Sequence, residues 1–410
     1  MDPILYEAAA AGDIDPFNKN DQTCLDRLLT PDESTILHVY LRNQRKEPKP
    51  TDFLDMILER CVYSRNQRRE PGSTDFVDRI LERCPPLLLH ANKKGETPLH
   101  LAAKYGHSNV VKVLIDRAKA LPADPESGVT AAEMMLRMTN GQGDTALHEA
   151  ARNACGHVVE ILTKEDPDFS YSANVHGETP LYIAASVGRG PEKDKVIDSI
   201  LRNCISMDYG GPNGRTALHA AITARDDVTA RKILEKEKKL TKKTDENGWS
   251  PLHYAAYFFD ILAVKALLEC DASAAYIAEK KEKKRTALHI AAIKGHVNVI
   301  KEIVSRCPDC CDLVDNRGWN ALHYAVASQS INAFEKCLRI PELERLKTEK
   351  DDEGNTPFHL IAALTHSQKE WITVYPNARS IGIYGLNKQK LSIANIRSGD
   401  FGEIQVINPL

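Results

Sequence analysis

The sequence predicts an all-α fold, a solenoid of about nine helix–turn–helix units with turn fingers. Two observations carry that prediction. A tetrapeptide of Thr or Ser, Pro or Ala, Leu and His recurs at Thr97–His100, Thr145–His148, Thr216–His219, Ser250–His253 and Thr286–His289, with weaker copies at Thr35, Thr179, Asn320 and Thr356. From Thr145 its first residue returns after 34, 37, 34, 36, 34 and 36 residues. Self-similarity at such a period means stacked copies of one supersecondary unit, none able to bury its apolar face alone.

The chemistry of one unit explains its residues. In NKKGETPLHLAAKYGHSNVVKVLI (Asn92–Ile115), Thr97 is placed to cap a helix start, and Pro98 fits a first turn where a missing N–H costs nothing. Leu99, Ala102 and Ala103 share a helical face, and the alanines keep it thin. Gly95 sits in the turn before Thr97, and Gly106 ends the helix in a left-handed conformation. A second helix brings Val110, Val111, Val113, Leu114 and Ile115 into the stack. The same grammar is expected at Cys155-Gly156-His157 and at Gly295-His296-Val297. A period near 33 with Thr-Pro-Leu-His is the pattern of ankyrin repeats, and the chain resembles that family over residues 31–370.

The remaining elements follow in order. Ile4–Phe17 reads as an Ala-rich helix ended by Gly12, so 1–30 is a capping half-repeat. Arg42–Cys61 is nearly repeated as Arg65–Cys84, an offset of 23 residues, too short for a unit. The region 42–84 therefore reads as a duplicated insert with two competing helices, Asp52–Cys61 and Asp75–Cys84, of which the later should pack normally. Thr97 and Thr145 lie 48 residues apart. The insert 119–138 fills that gap with a loop at Leu121–Thr130 and a helix at Ala131–Met138. Beyond Ala363 the period fades, and 371–410 reads as a C-terminal tail.

Composition narrows the function classes. The net charge of −3 does not suit a general nucleic-acid binder. No apolar run is long enough to span a membrane, and Met1–Phe17 lacks the apolar core of a signal peptide. Of ten cysteines, Cys84, Cys204, Cys270 and Cys307 each follow a second helix, which reads as a small buried position. The pair within Cys307–Cys311 lacks the second pair of ligands that zinc requires. No cofactor or metal is expected, and free thiols fit a reducing compartment.

Eight of fourteen histidines are the fourth motif residue: His38, His100, His148, His219, His253, His289, His323 and His359. His107, His157 and His296 recur after helix ends. Repetition marks a structural role, and the resemblance implies that motif His and Thr tie adjacent turns together. No nucleophile elbow, phosphate loop or metalloprotease motif occurs, so the expectation is a non-enzyme whose partners are other proteins.

Binding should use side chains left over from stacking. At the finger tips these are Asn92, Lys93, Lys94, His176, Asn213, Glu246, Asn247, Arg317 and Glu353. On or just after first helices they are Tyr105, Arg152, Arg225, Tyr257, Phe258 and Lys294. Tyr257-Phe258-Phe259 reads either as an aromatic anchor or as filler over an irregular helix end. Trp249 and Trp319 should shield the row of turns. The runs Glu235–Lys243 and Glu279–Arg285 read as solvated helix ends and a solvated finger, the second lying where a turn glycine should be.

Three blocks narrow the resemblance. DPILYEAAAAGDIDPF, the Asn92–Ile115 unit and YGLNKQKLSIANI (Tyr384–Ile396) resemble plant ankyrin proteins of the accelerated-cell-death type. That group joins a cytoplasmic array to a membrane domain and acts in salicylate-linked defence. The resemblance implies membrane-anchored ankyrin relatives as partners and a cytoplasmic or peripheral location. The chain departs from the group by stopping where membrane helices should start. The alternative expectation is thus the cytoplasmic part of a truncated membrane protein.

Overall fold

The structure, a computed structural model, describes residues 1–18, 25–44, 74–123, 128–280, 283–365, 368–374 and 384–399. It is all-helical apart from turns and two isolated β-bridges among those residues. Contacts divide the chain into two compact bodies, 1–212 and 213–410.

The repeat in each body is a short first helix, a longer second helix and a turn finger. In the C-terminal body the first helices are Ala217–Thr223, Pro251–Tyr257, Ala287–Ile293, Ala321–Ala327 and Pro357–Leu364. Their second helices include Asp227–Lys236, Ile261–Cys270, Val297–Arg306 and Ile331–Leu338. In the N-terminal body Pro98–Tyr105 pairs with Ser108–Lys119, Ala146–Arg152 with Gly156–Glu165, and Pro180–Ser186 with Pro191–Asn203. First helices pack on first helices and second on second. Leu99, Leu147, Leu181, Leu218, Leu252, Leu288 and Leu322 are all buried between them. Burying such a side chain contributes about 1.5–3 kcal/mol, and half of each contact belongs to a neighbouring repeat.

The N-terminal helix is Pro3–Ala11, capped by Asp2 and ended by a left-handed Gly12. Of the duplicated segment, helix Asp75–Arg83 packs through Phe76 on Tyr40, with ring centres 4.7 Å apart. Asp52–Cys61 lies outside the described residues. The insert helix is Ala131–Arg137, with Thr130 and Glu133 forming a reciprocal cap.

Three features differ from the sequence expectation. First, Gly156 does not end a helix. It opens the second helix, and Ala154 takes the left-handed turn with φ 53°. The turn residue lies nine positions after the motif Thr. Gly106 and Gly295 occupy it, as do Ala154, Arg225, Phe259 and Gln329, all with positive φ. His157 is consequently exposed, unlike His107. Second, the segment 371–410 holds more than a tail. Leu386–Leu391 forms a further finger, and Ser392 caps helix Ile393–Ser398 with Asn395 in a reciprocal box. Third, Cys84, Cys204 and Cys270 are only half-buried. Cys307 is buried, and its thiol donates to the Ala272 carbonyl at 3.1 Å.

Candidate functional site

The motif histidines form a row of ties. In each, the motif Thr or Ser backbone N–H donates to Nδ1 of the His three residues on, at 3.0–3.2 Å for Thr35, Thr97, Thr145, Thr216, Ser250, Thr286 and Thr356. Asn320 does the same for His323 at 3.3 Å. An Nδ1 that accepts must carry its lone pair, so the proton sits on Nε2. Nε2 then donates to a carbonyl of the following finger, except at His359, whose buried Nε2 meets no hydrogen-bond partner among the described residues. His38 reaches Glu96, His100 Asp144, His148 Glu178, His219 Trp249, His253 Arg285 and His323 Asn355, at 2.7–3.2 Å. His289 reaches Leu313 instead, at 3.1 Å. Burial holds His253, His289 and His323 down at about 4. They are neutral struts rather than acid–base groups.

Thr179 is the exception. Its fourth residue is Tyr182, which has no ring nitrogen, and the Thr179 hydroxyl itself donates to the Gly210 carbonyl at 2.8 Å. Tyr182 fills the space beside Gly211, where any Cβ would lie 2.1 Å from its ring.

The fingers are built by an Asn or Asp five residues before the motif. Oδ1 of Asn92 accepts from Lys94 N and Glu96 N, and Asn140, Asn174, Asp245, Asp315 and Asp351 repeat the arrangement. Such a side chain stands in for backbone in a tight turn. Each finger also donates one backbone N–H to its predecessor: Gly141 to Lys94, Glu246 to Asn213, Lys280 to Asn247 and Asp352 to Arg317. Gly248 shows how close this stacking is. At φ 84° its added Cβ would meet Lys280 N at 2.1 Å.

This framework sorts the residues expected to bind. Asn92 is 5 % exposed and holds its own turn, so it is not a contact residue. Arg152 is held by Asp144 at 2.8 Å and Glu178 at 3.5 Å. It belongs to an ion-pair ladder that runs through Arg42, Glu96, Lys104 and Glu149. Burial pulls Asp144 upward, but Arg152 and Asn174 hold it below its ordinary value. Glu149 is raised by burial, which Lys104 and Arg152 only partly offset. The ladder was not read from sequence, because its members are scattered through different repeats.

Lys93, Lys94, His176, Asn213, Glu246, Glu353 and Arg225 are exposed. His176 reaches Gln142 at 3.1 Å, and Lys93 the Pro31 carbonyl at 2.7 Å. Asn247 is half-buried. Tyr105 is half-buried beside His107. The run Glu279–Arg285 is not a wholly solvated finger. Glu279 is 3 % exposed, clasped by Arg285 at 2.7 Å and by Trp249 Nε1 at 3.0 Å. Lys284 takes the left-handed place of the missing glycine, with φ 50°.

In the C-terminal body the structure brings Trp249, Tyr254, Tyr257, Phe258 and Lys294 together. Trp249 lies 5.2 Å from Tyr254 and 5.7 Å from Tyr257, and Lys294 Nζ is 4.2 Å from the Tyr257 ring centre. Arg317 lies over Trp319 at 4.1 Å. Trp319 Nε1 in turn donates to Asp351 at 3.0 Å, so both tryptophans staple successive fingers. Among the described residues no cluster of His, Cys, Asp and Glu could hold a metal ion. Nor is any helix there long and apolar enough to cross a membrane.

Two family models match parts of this chain. A model described as ankyrin repeats (three copies) matches residues 191–277 and 263–342, and one described as ankyrin repeats (many copies) matches 80–127. The chain is 30% identical over 105 residues to ankyrin repeat and SOCS box protein 3 of Homo sapiens, covering 25% of this chain and 20% of that protein. It is 28% identical over 142 residues to inversin of Gallus gallus, covering 35% of this chain and 12% of inversin. Against transient receptor potential cation channel subfamily A member 1 of Homo sapiens it is 24% identical over 226 residues, covering 55% of this chain and 18% of the channel. The chain thus spans about a fifth or less of these relatives. The crystal structure of the human ASB11 ankyrin repeat domain aligns with a TM-score of 0.43 at 20% identity, over 59% of this chain and 96% of that domain.

Proposed function

We propose that this chain, an ankyrin repeat protein, is a scaffold that binds other proteins and carries out no chemistry of its own. The observation that carries the reading is the division of labour within each repeat. Motif His, Asx and Gly residues and Trp249 are consumed in holding fingers together, while exposed finger-tip residues and the half-buried Tyr257 and Lys294 are left over from that framework. Aromatic and arginine side chains of that kind carry most interface energy where proteins meet. Affinity capture of the full chain from its source, with cross-linking, tests this. A bound protein should be lost on Tyr257→Ala and kept on Lys301→Ala, which changes an exposed second-helix residue. Equal capture by both variants would overturn the site.

The narrower reading rests on the sequence blocks at residues 2–17, 92–115 and 384–396. Their likeness to plant accelerated-cell-death-type proteins supports a role in defence and cell-death signalling. Membrane-anchored ankyrin relatives are then the partners, and the location is cytoplasmic or peripheral at a membrane. The same likeness supports the alternative, the cytoplasmic part of a larger membrane protein. Reading the transcript beyond the codon for Leu410 separates the two.

A further inference from the structure

Three cations of the C-terminal body each lie on an aromatic ring. The Arg215 guanidinium is 5.5 Å from the centre of Tyr254, Lys294 Nζ is 4.2 Å from Tyr257, and Arg317 is 4.1 Å from Trp319. Trp249 joins the first two rings. The carboxylates beneath are already engaged. Asp245 accepts from the Tyr254 hydroxyl at 2.8 Å, Glu279 is clasped by Arg285, and Asp315 accepts from Arg317 and the Tyr324 hydroxyl. Lys294 has no ion-pair partner among the described residues. Beside Phe258, Phe259 and Leu262 are 46% and 52% exposed, an apolar margin next to a positive row. Burial, then the charges of Arg285 and Arg317, hold Lys283 below the ordinary lysine range. Glu279 and Asp315 oppose that shift, and Asp315 already pairs with Arg317, so Lys294 is the cation of this row to which a bound anion would add a partner.

We propose that this face binds an acidic, extended segment of a partner protein, its carboxylates on Arg215, Lys294 and Arg317 and an apolar side chain on Phe258 and Phe259. The inference deepens the scaffold reading and rests on it. Spacing sets the pattern. Packed helices lie about 8–10 Å apart, and an extended chain advances about 3.3 Å per residue. One repeat therefore corresponds to roughly three peptide residues. Arg215, Lys294 and Arg317 belong to the repeats of Thr216, Thr286 and Asn320, so acids fall at multiples of three. Single-stranded nucleic acid fits less well, because stacking bases needs open ring faces. Lys294 covers Tyr257, the Phe258 ring meets it edge-on at 5.2 Å, and Phe259 leans on His296 at 5.0 Å.

The test is fluorescence anisotropy of the full chain with a fluorescein-labelled peptide carrying Glu at every third position and Leu between. The result expected is saturable binding that weakens as salt rises and is absent for the same peptide with Gln in place of Glu. Lys294→Glu should lower affinity at least about tenfold, with an unchanged unfolding midpoint, and Lys301→Glu should leave it unaltered. Equal binding of the Glu and Gln peptides overturns the proposal, as does an unaffected Lys294→Glu variant or tighter binding of a single-stranded oligonucleotide. If the captured partner is lost on Tyr257→Ala yet indifferent to Lys294→Glu, the acidic segment is refuted while the scaffold stands.

Discussion

Acid should unfold this chain through its motif histidines. His38, His148, His219, His253, His289, His323 and His359 are all held at about 4, with burial the leading cause. His253 illustrates why. Its Nδ1 accepts from Ser250 N at 3.2 Å and its Nε2 donates to the Arg285 carbonyl at 3.1 Å. A second proton would have to go on Nδ1 and break the first bond. Glu279 and Asp245 favour that proton and Arg285 opposes it, but burial outweighs them. In the unfolded chain the same imidazole takes its proton near 6.5. Between those values the unfolded state binds more protons, so stability falls as pH falls. The contribution is intact above about pH 6.5, is lost progressively down to about pH 4, and is constant below that. At pH 5 the loss is about 2 kcal/mol per histidine. Five lie in the C-terminal body, so the loss there approaches about 10 kcal/mol, comparable to the whole stability of a typical domain. Urea denaturation followed by far-UV circular dichroism, repeated from neutral pH to pH 5, reads the slope. Near pH 5.5 it should correspond to uptake of about four to five protons on unfolding that body. High salt should leave the slope in place, because burial rather than surface charge causes it. An uptake below about one proton, or resonances of the motif imidazoles titrating near 6.5 in the native protein, would refute the reasoning.

Other outcomes follow from packing. Leu252→Ala or Leu288→Ala, each truncating a side chain buried between neighbouring first helices, should lose about 2–5 kcal/mol, and an unmoved urea midpoint would contradict the stacked-repeat account. Gly248→Ala should destabilise by at least about 1–2 kcal/mol through its left-handed φ and its approach to Lys280 N, with Lys280 losing amide-exchange protection. Ala154→Gly should gain about 1 kcal/mol, because a Cβ is carried at φ 53°, and a lower thermal midpoint would count against the cap. Gly211→Ala should cost about 1–3 kcal/mol by overpacking and be rescued by Tyr182→His, which the double-mutant cycle measures.

The repeat and its helix caps were legible because they depend on residue type at fixed spacing. Thr97, Pro98 and Leu99 behave as their chemistry dictates, and His100 behaves as the family resemblance implies. What escaped was anything assembled across repeats. The Asx turns are periodic too, at Asn92, Asn140, Asn174, Asp245, Asp315 and Asp351, and that period could have exposed Asn92 as framework. Gly156 misled because a glycine lies close to, but not at, the left-handed position, which Ala154 holds at some energetic cost. The Arg42–Glu96–Lys104–Glu149–Arg152 ladder has no sequence period. Nor do the cation–ring pairs, since Arg215 meets a ring of the next repeat and Lys294 one of the repeat before.

The pairing of Tyr182 with Gly211 couples two positions. Gly211 lies five residues before Thr216, the place where Asn or Asp builds other fingers, yet the ring at 182 leaves no room there for a Cβ. An engineer who wants the missing side chain at 211 must therefore redesign both positions together.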